Sequence, residues 1–236
     1  MKKNKQLMQN KEEEFDIGER VLYKNNQLIA FDKPAGLPVT SDKTGDMSMA
    51  QLGQIYCKSN IGLIHRLDRP ASGVVLFARN DKALAALNEQ FKDRKVEKVY
   101  LAAVAKRPEE DEATLVHYLK RQGRSNKSQV YEQAEAGAKR AELSYRYLTS
   151  SERYHLLEIR LHTGRHHQIR AQLAAIGSPI KGDVKYGFRR GNRDRSIHLH
   201  AWRLNFQHPV SGERVSIEAP MPTDDPVWAG FQHEEE

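Results

Sequence analysis

The chain of 236 residues is long enough to bury a core as one large domain or as two small ones. Its 38 Lys and Arg against 31 Asp and Glu give a formal net charge of +7, which suits a polyanionic partner but does not identify one. The single cysteine, Cys57, excludes an intramolecular disulfide and a cysteine-based zinc cluster, and it fits a reducing cytoplasm.

The N-terminal end of the chain has the composition of a tail. Residues 1–15 are basic and then acidic without an apolar run, so we expect a disordered tail and not a secretory signal. No later stretch is apolar enough to predict a transmembrane helix. Because no internal repeat and no Gly/Ser linker follows, residues 16–232 are predicted to form a single domain.

Strands are predicted where short runs are apolar or alternate between apolar and polar residues. These runs lie at residues 28–31, 61–64, 74–78, 99–104, 141–147, 157–161, 197–206 and 214–218. Helices are predicted at residues 49–57 with Ser48 as the cap, from Asn80 or Asp81 through Phe91, and at residues 165–176.

Residues 106–140 show no clear period. The acidic cluster at residues 109–112 is interpreted as a solvated loop. The basic stretch at residues 120–128 contains no acid, so it is either a second solvated loop or a site of phosphate contact. Taken together, strands interrupted by a few helices without a regular βαβ repeat predict an α+β fold with a mixed or mostly antiparallel sheet.

The loop between the strands predicted at 61–64 and 74–78 carries most of the chemistry. Asp68 stands between Arg66 and Arg69 in sequence, and a carboxylate held ionised by opposite charge is a plausible nucleophile or base. The alternative is an ordinary surface turn, because Asp, Pro, Ser and Gly are common turn formers.

Residues 65–73, His-Arg-Leu-Asp-Arg-Pro-Ala-Ser-Gly, resemble the catalytic signature of the RluA-type RNA pseudouridine synthases, with Ala71 where that family usually has Thr. Residues 161–170, Leu-His-Thr-Gly-Arg-His-His-Gln-Ile-Arg, are similar to the family's other long motif. Further similar blocks follow the family's order. They lie at residues 33–37, 98–102, 177–183, 186–187, 199–201 and 208–209.

This resemblance implies a pseudouridine synthase fold, in which a long central sheet is flanked by helices and loops and an active-site cleft crosses the sheet. It implies one catalytic domain at residues 16–232 without a separate N-terminal RNA-binding domain. The implied activity is isomerisation of uridine to pseudouridine in structured RNA without a metal or another cofactor. Large-subunit ribosomal RNA is the expected substrate and transfer RNA the alternative. A cytoplasmic monomer with no obligatory protein partner is expected.

The resemblance also assigns residues to the site. It implies that Asp68 is the catalytic carboxylate, that Arg170 pairs with it, and that Tyr100 stacks on the target base. Arg66 corresponds to the arginine that helps to flip or replace the target nucleotide. For His65, a structural hydrogen bond and a role towards the substrate remain open.

A further set of basic side chains is predicted to contact RNA outside the catalytic pocket. Between residues 160 and 203, ten Lys or Arg stand against two acids, so this segment alone carries a net charge of +8. Arg165 belongs to the second motif, and the other candidates come from the two basic clusters. Those candidates are Lys120, Arg121, Arg124, Arg189, Arg190 and Arg193.

Two interpretations from other classes compete with the enzyme. A metal-dependent hydrolase would use histidines as ligands, but the sequence has no His-Glu-x-x-His motif. The histidines available to it are His162, His166, His167, His198 and His200. A non-catalytic RNA-binding module would explain the basic charge, but such a module has no use for a carboxylate such as Asp68 facing phosphates.

Overall fold

The computed structural model describes residues 16–123 and 125–231. The strands in these ranges are β1 Val21–Lys24, β2 Leu28–Lys33, β3 Gly62–Leu63, β4 Ser72–Ala78, β5 Glu97–Val104, β6 Glu112–Gln122, β7 Lys127–Tyr131, β8 Lys139–Ser150, β9 His155–Leu161, β10 Leu199–Gln207 and β11 Arg214–Glu218. The helices are α1 Met49–Cys57, α2 Asp81–Lys92, α3 Gln168–Ala175 and α4 Pro226–Ala229. Within the described ranges, no helix has the length and apolarity needed to cross a membrane.

All eleven strands belong to one sheet. Nine of them follow the order β1-β2-β4-β10-β5-β9-β8-β6-β7, while β11 pairs with β10 and β3 pairs with β4. Strands β4 and β10 are parallel, and the other pairings are antiparallel. The prediction of an α+β fold with a mixed, mostly antiparallel sheet is therefore confirmed.

The centre of the sheet is buried on both faces. On one face, helices α1 and α3 cover a cluster that includes Phe31, Phe77 and Ile159. On the other face, helix α2 packs through Leu87 against strands β2, β4 and β10, with Leu76 among its neighbours. Alternation along the strands delivers apolar side chains to both layers, as the period of two requires.

Gly73 allows the chain to enter the middle of the sheet. Its φ of +108° is unfavourable for a residue with a side chain. A Cβ atom at this position would lie 2.6 Å from the amide nitrogen of Ala201 and closer still to its carbonyl oxygen. Only glycine therefore lets strand β4 approach strand β10 at this point, directly after the loop that carries Asp68.

The first two predicted helices are observed where the sequence places them. Ser48 caps α1 in a capping box with Gln51, and Asn80 caps α2 by accepting a hydrogen bond from the Ala83 amide. The third helix begins at Gln168 and not at residue 165, because His167 has a left-handed backbone with φ 52° and ψ 28°.

Residues 112–131 differ most from expectation. Strands β6 and β7 form a long antiparallel hairpin at one edge of the sheet, so the solvated-loop alternative is wrong for residues 120–122 and 127–128, whereas residues 109–111 are an exposed loop as predicted. The predicted strand at 61–64 is reduced to Gly62–Leu63, and residues 64–71 form the loop before β4. Predictions for residues 1–15, Arg124 and residue 232 fall outside the described ranges.

Candidate active site

The loop that carries Asp68 is fixed by backbone hydrogen bonds to distant segments. The Gly36 amide donates to the Arg69 carbonyl oxygen at 2.8 Å, and the Ile197 amide donates to the Pro70 carbonyl oxygen at 3.0 Å. Within the loop, the Ala71 amide donates to the Asp68 carbonyl oxygen at 3.1 Å. These contacts hold the Asp68 backbone just before the start of strand β4, while its side chain remains 28% exposed.

Lys33 also stabilises this loop, through hydrogen bonds from its side chain to backbone carbonyl oxygens. Its fully buried Nζ donates to the carbonyl oxygens of Pro34, Leu37 and Arg69, at 2.9, 2.9 and 3.2 Å. Burial lowers the pKa of Lys33 from 10.5 to about 7, against the opposing effect of the Asp68 charge. The ammonium group thereby joins the turn after β2 to the residue that follows Asp68.

The two arginines that flank Asp68 in sequence do not pair with it. Arg69 donates through Nε to the Gly36 carbonyl oxygen at 2.8 Å, and its other nitrogens bind Asp42 and Asp46. Arg66 is exposed and makes no ion pair with any described residue. The expectation that neighbours in the loop hold the Asp68 charge is therefore wrong.

Arg170, on helix α3, is the positively charged residue that pairs with Asp68. Its Nη1 donates to Oδ2 of Asp68 at 2.9 Å. Its Nε and Nη2 donate to the two carboxylate oxygens of Asp183 at 2.6 and 2.9 Å. The planar guanidinium thus binds Asp183 with both oxygens and still reaches Asp68. Oδ1 of Asp68 makes no hydrogen bond to a described residue.

The electrostatic setting keeps Arg170 charged. Burial opposes its positive charge, but the hydrogen bonds and charge of Asp183, with the charge of Asp68, raise the pKa of Arg170 above its ordinary value. Arg170 and Asp183 are 4% and 1% exposed, so the pair is shielded from water and salt. Asp68 therefore faces a permanent cation through one oxygen, with its other oxygen unoccupied.

Tyr100 lies on strand β5, on the sheet face that carries Ile159 and helix α3. Its ring is 8% exposed, and its hydroxyl makes no hydrogen bond to a described residue. Burial, and then the negative charge of Asp68, raise the pKa of Tyr100. The phenol is therefore neutral at physiological pH, and the site offers an aromatic ring with an unpaired hydroxyl beside a carboxylate.

His65 lies on the inner side of the same loop. Its Nε2 accepts a hydrogen bond from the Leu76 amide at 3.1 Å, and its ring stacks on Phe91 with centroids 5.2 Å apart. Burial and the charge of Lys98 lower the pKa of His65 to about 4, so the ring is neutral. This geometry favours the structural alternative, and a role towards the substrate stays a prediction.

None of the described residues among the predicted basic contacts makes an ion pair with Asp68. Lys120 donates to the Ala136 carbonyl oxygen at 2.7 Å, and Arg121 donates to Asn126 Oδ1 at 2.9 Å near the tip of the β6–β7 hairpin. Arg165 donates through Nε to the Arg140 carbonyl oxygen at 3.0 Å. The other arginines of this set are exposed and make no ion pair with a described residue. They are Arg189, Arg190 and Arg193.

The histidines of the metal hypothesis lie in separate parts of the fold. His198 lies 2.9 Å from Asp225, and His200 shares a hydrogen bond of 2.8 Å with Ser72. His162 is exposed and bonded to Ser144, whereas His166 and His167 stack on each other near Asp68. In residues 16–123 and 125–231, no three His, Cys, Asp or Glu side chains form a group that could hold a metal ion.

Sequence reasoning misses three residues that shape the site: Lys33, Asp183 and His167. Lys33 and Asp183 each belong to a block that resembles the family, at residues 33–37 and 177–183, but the blocks give them no role. The sequence points to His167 only as a metal ligand, whereas its Nε2 lies 3.7 Å from Oδ2 of Asp68. Each makes a contact that joins separate segments, which a local pattern does not reveal: Lys33 with the Arg69 carbonyl oxygen, Asp183 with Arg170, and His167 with Asp68.

Comparisons with known proteins identify the family to which the chain is similar. Residues 27–175 match the family model described as RNA pseudouridylate synthase. The chain is 35% identical to the tRNA pseudouridine synthase C of Haemophilus ducreyi, over 84% of this chain and 89% of the relative. It is 30% identical to the ribosomal large subunit pseudouridine synthase D of Zymomonas mobilis, over 89% of this chain and 71% of the relative.

Solved structures give the same fold. Human RNA Pseudouridylate Synthase Domain Containing 4 superposes with a TM-score of 0.72 at 22% identity, covering 87% of this chain and 90% of that one. Human RNA Pseudouridylate Synthase Domain Containing 1 also gives 0.72, at 24% identity, covering 86% of this chain and 84% of that one. Together with the sequence matches, these findings establish that the chain belongs to the RNA pseudouridylate synthase family, whose members isomerise uridine to pseudouridine in RNA.

Proposed function

We propose that Asp68 is the catalytic carboxylate of this RNA pseudouridine synthase. The main support for the proposal is that only one of the two carboxylate oxygens of Asp68 is hydrogen-bonded to a described residue. Oδ2 is bound by Arg170 at 2.9 Å, whereas Oδ1 has no partner among the described residues. An anchored carboxylate with one unoccupied oxygen is oriented for reaction beside a fixed cation.

The reaction requires little else from the protein. The N1–C1′ bond of the target uridine breaks, a C5–C1′ bond forms, the C5 proton leaves and N1 gains a proton. Asp68 Oδ1 is the atom that attacks or accepts a proton, since Oδ2 is occupied. Tyr100 holds the flipped uracil by stacking, and its hydroxyl is the group available for the proton step at C5. Arg66, exposed on the same loop, fills the position that the flipped nucleotide leaves.

The decisive experiment is the Asp68→Asn variant, which keeps the shape of the side chain but cannot act as a carboxylate. We expect pseudouridine formation to be lost while folding and most of the RNA affinity are retained. The matched control is Asp93→Asn, because Asp93 lies at the end of α2 on the opposite face of the sheet. Turnover of Asp68→Asn close to that of the parent enzyme would remove Asp68 from the mechanism.

Large-subunit ribosomal RNA is the proposed substrate, and transfer RNA is the second candidate. The Zymomonas relative named for the ribosomal large subunit supports the first. The Haemophilus relative named for tRNA supports the second, at higher identity. Mapping pseudouridines in both RNAs from cells with and without the gene decides between them. A site lost only from transfer RNA would overturn the ribosomal proposal.

We further propose that the basic segments bind phosphates outside the pocket. Three exposed arginines make no ion pair with a described residue: Arg189, Arg190 and Arg193. Their charges are therefore available to bind phosphate groups of RNA. Removing one cation that binds a phosphate lowers the salt slope of RNA binding by about 0.7 to 0.9 units. Replacing all three with Gln should therefore weaken binding at low salt, flatten the slope and leave the single-turnover rate at saturating RNA unchanged.

A matched control removes three charges from the opposite face of the sheet. Lys82, Lys92 and Lys95 lie in or just after α2, and all three are exposed. Gln at these positions should leave the slope unchanged. Equal slopes for the arginine variant and the parent enzyme would show that the arginines are ordinary solvated surface.

The enzyme is also proposed to act in the cytoplasm as a monomer with one catalytic domain and no obligatory protein partner. Arg170 binds both Asp68 and Asp183 within the chain, so this group of charges needs no residue from a partner subunit. The free thiol of Cys57 fits a reducing compartment. Light scattering of the free enzyme tests the monomer, and a dimeric mass would overturn it.

A further inference from the structure

His167 lies beside the catalytic centre, yet none of the bond-breaking or proton-transfer steps uses it. It precedes helix α3 with a left-handed backbone, three residues before Arg170. Its side chain is 8% exposed, and its Nε2 lies 3.7 Å from Oδ2 of Asp68, the oxygen that Arg170 already binds. The imidazole therefore stands on the anchored side of the carboxylate and leaves the Oδ1 side open.

The hydrogen-bond pattern around His167 selects one tautomer. Its Nδ1 lies 3.0 Å from Oη of Tyr186, and the same Oη accepts the Ser128 amide proton at 2.7 Å. With one position on Oη occupied by that amide, the hydroxyl proton of Tyr186 can be donated to Nδ1 of His167. The opposite tautomer would turn the Nε2 lone pair towards the Asp68 carboxylate, which is electrostatically unfavourable. Both contacts thus favour the form with the proton on Nε2.

The ring of His167 is also kept neutral and oriented. Burial, followed by the positive charge of Arg170, lowers its pKa to about 2. His166 stacks on it with centroids 3.8 Å apart, and the ring of Tyr186 meets it edge-on at 5.6 Å. At 3.7 Å the contact is too long for a hydrogen bond, but an N–H on Nε2 places partial positive charge beside Oδ2 without adding a second cation next to Arg170.

The same contacts connect His167 with the β6–β7 hairpin. Ser128 lies near the start of β7, and its Oγ donates to the His166 carbonyl oxygen at 2.5 Å. The Ser128 amide donates a hydrogen bond to Oη of Tyr186, so the orientation of the His167 ring depends on the position of the hairpin. Arg121 and Lys127 are exposed beside the tip of this hairpin. The orientation of the catalytic carboxylate is therefore linked to a basic surface element.

We propose that His167 is a positioning residue for Asp68: Tyr186 and Ser128 hold its ring as the Nε2–H tautomer, and that N–H and Arg170 together fix Oδ2 so that Oδ1 points to the RNA. The proposal rests on the proposed catalytic role of Asp68. It assigns His167 no proton transfer and no contact with the reacting atoms.

The first test measures the tautomer directly in the free, full-length protein. Two-bond ¹H–¹⁵N correlation spectra distinguish protonated from unprotonated ring nitrogens, and the His167→Asn spectrum identifies the His167 signals. We expect protonated Nε2 and unprotonated Nδ1. In Tyr186→Phe, a fraction of the opposite tautomer should appear. A proton on Nδ1 in the parent protein, or a tautomer unaffected by Tyr186→Phe, would overturn the proposal.

The second test compares two substitutions of His167. Asn tolerates a left-handed backbone and can keep the contact with Tyr186, but it does not extend to the Nε2 position. Gln is long enough to place an N–H there. We expect His167→Asn to lower the single-turnover rate at saturating RNA about tenfold, which corresponds to about 1.4 kcal/mol, with the RNA Kd unchanged. His167→Gln should recover most of that rate.

Controls separate this proposal from the function on which it depends. His162→Asn changes an exposed histidine bonded to Ser144 and should leave the rate unchanged. If Asp68→Asn is inactive while His167→Asn keeps the parental rate, only the positioning role is refuted. If Asp68→Asn is active, the catalytic assignment itself fails, whatever tautomer His167 adopts.

Discussion

Asp183→Asn should be the most informative substitution in this protein, because Asp183 supports the site without facing the substrate. The carboxylate is 1% exposed and accepts two hydrogen bonds from Arg170, at 2.6 and 2.9 Å. Asn offers one acceptor oxygen and turns an amide N–H₂ towards the guanidinium. Arg170 would thus lose a hydrogen bond and its buried counter-charge, while its backbone neighbours are unchanged.

The magnitude follows from the burial of the pair. Removing one partner of a buried ion pair costs about 3 to 5 kcal/mol, because the remaining charge is left without compensation. Asp68 still provides one negative charge at 2.9 Å, which places the expected loss of unfolding free energy near the lower limit, at about 3 kcal/mol. Asp68→Asn, at a carboxylate that is 28% exposed, should cost about 1 kcal/mol or less.

The assay is a double-mutant cycle in urea. Arg170→Met should also cost about 3 to 5 kcal/mol, because it leaves Asp183 buried and unpaired. The double variant should cost less than the sum of the two single changes by about 2 kcal/mol or more, as expected for residues in direct contact. Additivity within about 0.5 kcal/mol would refute the coupled pair.

Activity provides the second measurement of the same substitution. If Asp183 keeps Arg170 directed at Asp68, the Asn variant loses a charge-assisted hydrogen bond worth about 1.5 to 3 kcal/mol, or a rate factor of about 10 to 150. The rate must be measured well below the unfolding temperature of the variant. A parental single-turnover rate in a measurably destabilised protein would show that Asp183 stabilises the fold alone.

Three further predictions concern separate parts of the molecule. Tyr100→Phe keeps the aromatic ring, so glycosidic cleavage should proceed while release of a C5 tritium label slows; loss of cleavage itself would show an earlier role for the hydroxyl. Burial raises the pKa of Asp32 from 3.8 to about 6, so above pH 6 the folded parent protein carries a buried negative charge. Asp32→Asn removes that charge and should stabilise the protein by up to about 3 kcal/mol above pH 6. The gain should disappear as pH falls from 6 to 3.8, and equal stabilities in urea at about pH 8 would contradict it. His65→Leu leaves the Leu76 amide without its acceptor and should cost about 1 to 3 kcal/mol without changing the single-turnover rate; a lower rate at unchanged stability would contradict the structural role.

The sequence predicts the elements that are specified locally. Helices α1 and α2 begin at Ser48 and Asn80 because cap and apolar period lie within one segment. Strand β6 escapes prediction because its buried side includes His117, which does not look apolar. That ring is 5% exposed and accepts a hydrogen bond from Gln172 of α3 at 3.0 Å, a partner that no local pattern indicates.

The site divides in the same way. The resemblance assigns Asp68, Tyr100 and Arg170 to the proposed site, and the structure brings Arg170 and Asp68 into contact across 102 positions of sequence. Charge reasoning within the loop selects Arg69 as a partner of Asp68, yet Arg69 binds Asp42 and Asp46. Nearness in sequence is a poor guide to ion pairs in a loop, because consecutive side chains point in different directions.

The position of β10 has a consequence for how the enzyme is made. This strand comes from the last part of the chain but lies between β4 and β5 in the sheet. The segment that ends in β4 and the segment that begins with β5 share no direct pairing among their described residues. During synthesis they can join into one sheet only after β10 has been made, because β10 pairs with both. Such non-local pairing forms late and slowly. Asp68 and Tyr100 lie on opposite sides of the position that β10 occupies. In a nascent chain that lacks β10, the two residues should therefore not be held in position relative to each other. Uridine isomerisation should begin only after nearly the whole polypeptide has been synthesised.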